Sequence, residues 1–269
     1  MHHFFVDPSQ VNEAEKKIVI RGGDVNHIRN VLRMKVSEDM LVSDGQGHDY
    51  MCRITSLEKD GTVLAEITET PFEGTELCTK IYLFQGLPKS DKMELIIQKA
   101  VELGVYQIVP VSTRRSVVKL DEKKAAAKIK RWNGIAESAA KQSRRGIIPE
   151  VTGVMTFKQA VAYAENMEWN LIPYENFKDM KSTRDIIEKI CDSSQNGSIG
   201  IFIGPEGGFD EAEVNYAGEH GIHPVSLGRR ILRTETAGLM LLSVIMYHLE
   251  NGRNNETVLN EVINGSLFR

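Results

Sequence analysis

The apolar run Ser198-Ile-Gly-Ile-Phe-Ile203 leads directly into Gly204-Pro205-Glu206-Gly207-Gly208, and a helical pattern opens at Asp210. A buried strand that delivers the chain to a glycine turn and then a helix belongs to an α/β sheet, whose ligands bind at the carboxyl ends of its strands. Three glycines in five residues let the backbone turn tightly and approach a ligand closely. A tight turn without a ligand would use the same glycines, so the chemistry of the loop has to decide. It is not Gly-x-Gly-x-x-Gly, and no Gly-Lys-Ser/Thr occurs, which excludes the dinucleotide fingerprint and the P-loop. The loop carries no lysine or arginine, and Glu206 would repel phosphate. A neutral or cationic ligand suits it better.

The surrounding pattern agrees. From Lys80 onward, strands predicted at Ile81–Gln85, Gln107–Ser112, Asn170–Tyr174, Ser198–Ile203 and His223–Leu227 alternate with helices. The helices are Asp91–Leu103, a basic one over about 121–144, Thr156–Asn166, Ser182–Cys191, Asp210–His220 and Thr234–Leu249. Asp91 with Glu94, Thr156 with Gln159, and Asp210 with Glu213 are spaced as capping boxes. The part before this is β-rich, with strands at Ile18–Ile20, Met40–Asp44, Tyr50–Leu57 and Val63–Thr68. Asp60-Gly61 signals a hairpin, and Asp24 would cap a short helix over Asp24–Leu32. Pro71-Phe72-Glu73-Gly74 marks the boundary, giving a small domain over 1–72 and an α/β domain over 73–269.

Charge is segregated. The chain carries −4 overall, yet Arg114–Arg145 holds eleven lysines and arginines against three acids. That stretch, with Arg29, Arg33, Lys89 and Lys92, would suit phosphates, though a solvated helix face explains it equally well. Three cysteines with no Cys-x-x-Cys exclude a disulfide framework and point to a reducing compartment. The seven histidines show no His-x-x-x-His pattern, so no metal is expected. The first residues have no signal-peptide run, and Ala237–Leu249 is too short to span a bilayer, so a cytoplasmic protein with no membrane partner is expected. The last helix is apolar almost all round, which predicts burial on all sides, within one subunit or against a second.

A second segment, Ser226-Leu-Gly-Arg-Arg-Ile-Leu-Arg-Thr-Glu-Thr-Ala-Gly238, ends a strand and begins that helix. Arg229, Arg230 and Arg233 stand beside a helix N-terminus, where cations oppose the dipole. They await an anionic partner, are solvated, or pair with Glu206 and Glu235.

Together, Gly204–Gly208 and Leu227-Gly228-Arg229-Arg230-Ile231-Leu232-Arg233-Thr234-Glu235-Thr236-Ala237 resemble the signature of the bacterial 16S ribosomal RNA uridine-N3 methyltransferase family, of the SPOUT superfamily. The likeness extends to Gln85–Glu94, Gln98–Gly104, Arg114–Val118, Ala136–Ser143 and His27–Arg33, nearly the whole chain. It implies a trefoil-knotted α/β methyltransferase domain preceded by a PUA-like β-barrel, and a homodimer with each site near the subunit interface. It implies S-adenosylmethionine as cofactor, held by Ile203, Gly204, Pro205, Glu206, Gly207 and Gly208 on one side. Leu227, Gly228, Ile231, Leu232, Thr234, Thr236 and Ala237 would hold the other, with Pro173 and Tyr174 as a third wall. The partner would be 16S rRNA of the small ribosomal subunit, gripped by Arg29, Arg33, Lys89, Lys92, Arg114, Arg115, Arg144 and Arg145. His3 stands where the family has an arginine before an aromatic pair, leaving either a weaker, pH-dependent RNA contact or none.

Methylating uridine N3 requires loss of the N3 proton. Arg233, supported by Arg229 or Arg230, would stabilise the resulting anion, and Glu235 would act either as base or as an orienting residue. Two other readings stay open: another RNA target, such as a ribose 2′-hydroxyl or a tRNA base, and a non-catalytic RNA-binding assembly factor.

Overall fold

A computed structural model describes residues 1–69, 74–193 and 196–263; side chains are described except at 191–193 and 251–263. Pro71–Glu73 of the expected boundary lie outside the described residues. The chain divides into two compact units, Met1–Glu76 with Glu137–Ile148, and Leu77–Ala136 with Pro149–Arg269. The first thus takes in a segment from far along the chain, which no single cut in the sequence would assign to it.

The first unit is built on a six-stranded sheet. Its strands are β1 (His2–Phe5), β2 (Val11–Asn12), β3 (Lys17–Ile20), β4 (Asp39–Ser43), β5 (Asp49–Leu57) and β6 (Val63–Glu69), in the order β1-β4-β5-β6-β3-β2. All pairs are antiparallel except β1 with β4. Alternation sets the faces: Val63, Ala65 and Ile67 point into a core with Ile18, Ile20, Met40 and Ile54, while Glu66 points out. The Asp60-Gly61 turn closes β5 onto β6, with Gly61 at φ +84° and the Thr62 N–H donating to Asp60.

The expected Asp24–Leu32 helix lies within a residue of its predicted ends but is differently wound and capped. One helical turn, α1 (Gly23–Asn26), passes into a wider turn over His27–Val31. Asp24 lies inside the turn and caps nothing; its carboxylate takes the Lys141 ammonium at 3.0 Å instead. The stronger electrostatic partner outcompetes the local backbone.

The second unit is a parallel α/β sheet. Its strands are β7 (Lys80–Gly86), β8 (Gln107–Ser112), β9 (Glu150–Val151), β10 (Met155–Thr156), β11 (Trp169–Pro173), β12 (Ser198–Ile203) and β13 (His223–Val225). Their order is β10-β8-β7-β12-β11-β13, with β9 also on β8. The helices are α2 (Lys92–Glu102), α3 (Glu122–Ser143), whose last turns from Glu137 belong to the first unit, α4 (Phe157–Ala164), α5 (Met180–Ser193), α6 (Glu211–Glu219) and α7 (Thr234–Ile263). The central strands are buried on both faces, as a parallel sheet requires. Phe84 and Phe202 stack on adjacent strands, rings 4.2 Å apart, with Phe157 and Phe209 around them.

The boxes at Thr156/Gln159 and Asp210/Glu213 form on both sides of each cap. That at Asp91/Glu94 does not: Asp91 makes no side-chain cap, and Glu94 is taken by Arg131 at 2.8 Å. Within the single chain, the last helix is buried on one side. Leu241, Leu242, Ile245 and Leu249 face the core, while Met240 and Tyr247 are exposed.

Candidate functional site

The site begins where β7 and β12 end side by side, with Gln85 opposite Ile203. The chain then turns through Gly204–Gly208, closed by a Gly208 N–H to Pro205 carbonyl bond of 2.9 Å. The turn packs against β7 so closely that a Cβ on Gly86 would stand 2.7 Å from the Pro205 nitrogen. A Cβ on Gly204 would stand 2.9 Å from the Gly208 carbonyl carbon. These contacts are with backbone, which cannot step aside, so both positions require glycine.

The second segment is tied to this turn. The Thr234 hydroxyl donates to the Gly204 carbonyl at 2.6 Å, and the buried Gln85 amide donates to Thr234 Oγ1 at 2.9 Å. The third wall comes from β11, whose Pro173 pairs with Val225, with the Tyr174 N–H bonded to the Val225 carbonyl at 3.1 Å.

The three segments enclose a cleft of about 920 Å³. Ile203, Gly204, Pro205, Glu206, Gly207 and Gly208 line it, as do Leu227, Gly228, Ile231, Leu232, Thr234 and Ala237, with Pro173 and Tyr174. Arg229, Arg230 and Arg233 line it too, while Glu235 and Thr236 are not on its wall. Sequence reasoning missed Lys92, Lys178, Met180, Phe209 and Ser226 as lining residues. Phe209 and Ser226 adjoin the two motifs, so they were within reach; the others come from segments with no glycine or arginine signal.

The charges sort unexpectedly. Glu206 pairs with Lys92 at 3.0 Å and accepts the Lys89 backbone N–H at 3.1 Å. Glu235 lies 3.5 Å from the same Lys92 ammonium. Burial alone would push the Glu206 carboxyl up, but Lys92 and the backbone N–H groups hold it below the usual carboxylate range. The same hydrogen bond to Glu206 raises the Lys92 ammonium. Among the described residues, no carboxylate lies within ion-pair distance of Arg229, Arg230 or Arg233, and all three are exposed.

The remaining candidate cations divide. Arg33, Lys89 and Arg144 are exposed. Arg29 is half-buried and donates to the Glu58 carbonyl. Arg114 pairs with Asp210 at 2.9 Å, and Arg115 donates to the Gly207 carbonyl at 3.0 Å, bracing the glycine turn from outside. Arg145 is no surface cation: it is 3% exposed, and Glu76 holds its guanidinium at 2.6 and 2.7 Å. His3 is buried as well, with Nε2 2.6 Å from the Ser43 hydroxyl.

A parallel sheet with a cleft at its strand ends, lined by exposed arginines, defines the chain as an α/β protein with a cleft suited to an anionic ligand. A family model described as an RNA methyltransferase domain matches residues 75–246, and one described as an RNA methyltransferase PUA domain matches 20–68. The ribosomal RNA small subunit methyltransferase E of Bacillus subtilis is 38% identical over 95% of this chain and 100% of its own length. That of Mesomycoplasma hyopneumoniae is 33% identical over 90% and 98%. The Neisseria gonorrhoeae enzyme of the same name, solved bound to S-adenosyl methionine, superposes with a TM-score of 0.74 at 34% identity, covering 91% of this chain and 96% of that one. This chain belongs to the ribosomal RNA small subunit methyltransferase E family.

Proposed function

We propose that this chain transfers a methyl group from S-adenosylmethionine to N3 of a uridine in 16S ribosomal RNA of the small ribosomal subunit. The observation that carries the reading is the shared cleft, in which two segments far apart in sequence meet through the Thr234–Gly204 bond.

The residues present fit that cofactor. The Gly204–Gly208 turn presents backbone with no basic side chain, and Ile203, Leu227, Leu232 and Ala237 supply apolar surface for an adenine ring. The volume of about 920 Å³ is within the range of small-molecule sites. Bound there, S-adenosylmethionine supplies an electrophilic methyl group on a sulfonium. The arginine rim meets the polyanion.

Uridine N3 attacks as the deprotonated ring. Arg233 stabilises the charge spread over the ring, and Arg229 supports it. Glu235 is off the cleft wall, paired with the lining residue Lys92, which favours an orienting role over direct proton abstraction; the N3 proton then passes to solvent. Arg33, Lys89 and Arg144 hold phosphates, with residues 1–72, the larger part of the first unit, acting as the PUA-like RNA-binding domain. A trefoil-knotted path for 73–269 accords with the way the start of α7 is bonded to the ends of β7 and β12. A homodimer would cover Met240 and Tyr247 on α7. A cytoplasmic location follows from the substrate.

The test is incubation of unmodified small ribosomal subunits with labelled S-adenosylmethionine, followed by mass-spectrometric mapping. The reading expects one labelled uridine carrying the methyl on N3. Label on a ribose 2′-oxygen or in tRNA supports the other targets, and no label supports the assembly factor.

A further inference from the structure

Lys92 bridges two carboxylates that reach it from different segments. Its ammonium is 3.0 Å from Glu206 on the glycine turn and 3.5 Å from Glu235 in the first turn of α7. As the first residue of α2, Lys92 places a positive charge where the helix dipole disfavours one. The two carboxylates, not the helix, therefore account for its position.

Glu235 is the less exposed of these charges: it is half-buried, whereas Glu206, Arg229, Arg230 and Arg233 are exposed residues. Glu206 lines the cleft together with the three arginines, and Glu235 stands behind its wall at Lys92. Opposite charges gathered at one site attract, and Glu206 lines the same cleft as the three arginines. Yet among the described residues both acids are engaged by Lys92 and neither by an arginine.

We propose that Lys92 is a positioning residue that keeps Glu206 and Glu235 drawn to the inner wall, shaping the cofactor side of the cleft and leaving Arg229, Arg230 and Arg233 free for RNA. The inference rests on the reading of the cleft as the meeting place of S-adenosylmethionine and RNA. It differs from a direct phosphate contact by Lys92, which would touch RNA affinity alone.

The test uses the full chain with K92M and K92R. S-adenosylhomocysteine is titrated calorimetrically without RNA, and binding of small ribosomal subunits is measured across a salt series. In K92M, S-adenosylhomocysteine should bind at least fivefold more weakly, and K92R should recover to within about twofold. The slope of log affinity against log salt measures the phosphates neutralised, at roughly 0.7–0.9 per contact. In K92M it should fall by more than a single contact, because released carboxylates quench arginines. Combining K92M with E206Q and E235Q should restore the slope, which no general loss of folding would do. Unchanged S-adenosylhomocysteine binding in K92M, or a slope lowered by one contact or less, overturns the proposal. If the unaltered chain binds no S-adenosylhomocysteine, the functional reading fails instead.

Discussion

The Thr234 hydroxyl donates to the Gly204 carbonyl at 2.6 Å, joining the first turn of α7 to the mouth of β12. Gln85 fixes the direction of that bond, since its amide already donates to Thr234 Oγ1 and leaves the hydroxyl hydrogen to Gly204. Thr234→Val removes the donor and strands a carbonyl beneath the cleft, a loss of about 1–3 kcal/mol. Calorimetry should show S-adenosylhomocysteine binding roughly tenfold weaker or worse. Thr234→Ser should stay near the unaltered protein.

Gly86 faces backbone. A Cβ there would stand 2.7 Å from the Pro205 nitrogen, so Gly86→Ala must displace the glycine turn. Chemical denaturation should show a loss of about 1–3 kcal/mol, together with weakened cofactor binding. Gly153→Ala is the control, since a Cβ at Gly153 meets nothing within 4 Å.

Arg233 is exposed on the cleft wall with no carboxylate partner among the described residues. Arg233→Ala should lower kcat by roughly a hundredfold or more. Affinity for S-adenosylhomocysteine, measured without RNA, should change little.

Arg145 should behave in the opposite way. It is buried against Glu76, so Arg145→Met leaves that carboxylate without its guanidinium. The unfolding free energy should drop by about 3–5 kcal/mol. The salt dependence of RNA binding by the folded fraction should not change.

How much of this could be read in advance depended on sequence separation. The Ser198–Ile203 strand, the glycine turn after it and the Asp210/Glu213 cap are local, and the residues that make them are neighbours. The Asp91/Glu94 cap had the same spacing and failed, because Arg131, 37 residues from Glu94, claimed its carboxylate. Gln85 and Thr234 are 149 positions apart, and no periodicity announces their bond. Arg145 looked like one more cation of a basic stretch; only the fold brings Glu76 to it. Strand β1 escaped notice because His2–Phe5 shows no turn signal and pairs in parallel with a distant strand.

Burial lowers the His3 imidazole from 6.5 to about 4, opposed by the nearby Lys141 backbone and reinforced by the Lys141 and Arg144 charges. The folded chain therefore binds the proton later than the unfolded chain as pH falls. The stability associated with neutral His3 is present above pH 6.5 and is lost as pH drops towards 4. Between pH 7 and pH 5 the loss through this group is about 2 kcal/mol. His48 has the opposite sign, because its hydrogen bond to Asp44 raises it, and its contribution is lost as pH rises. Comparing His3→Asn with the unaltered chain cancels the His48 effect. Denaturation curves of the variant should depend less steeply on pH over this window.

The account turns on one cleft serving a sulfonium nucleoside. A crystal structure grown with S-adenosylmethionine tests it most directly. The prediction is cofactor density between Ile203–Gly208 and Leu227–Ala237, with the methyl group directed to the side that bears Arg233. Density elsewhere on the chain, or a saturated crystal with this cleft empty, would contradict it.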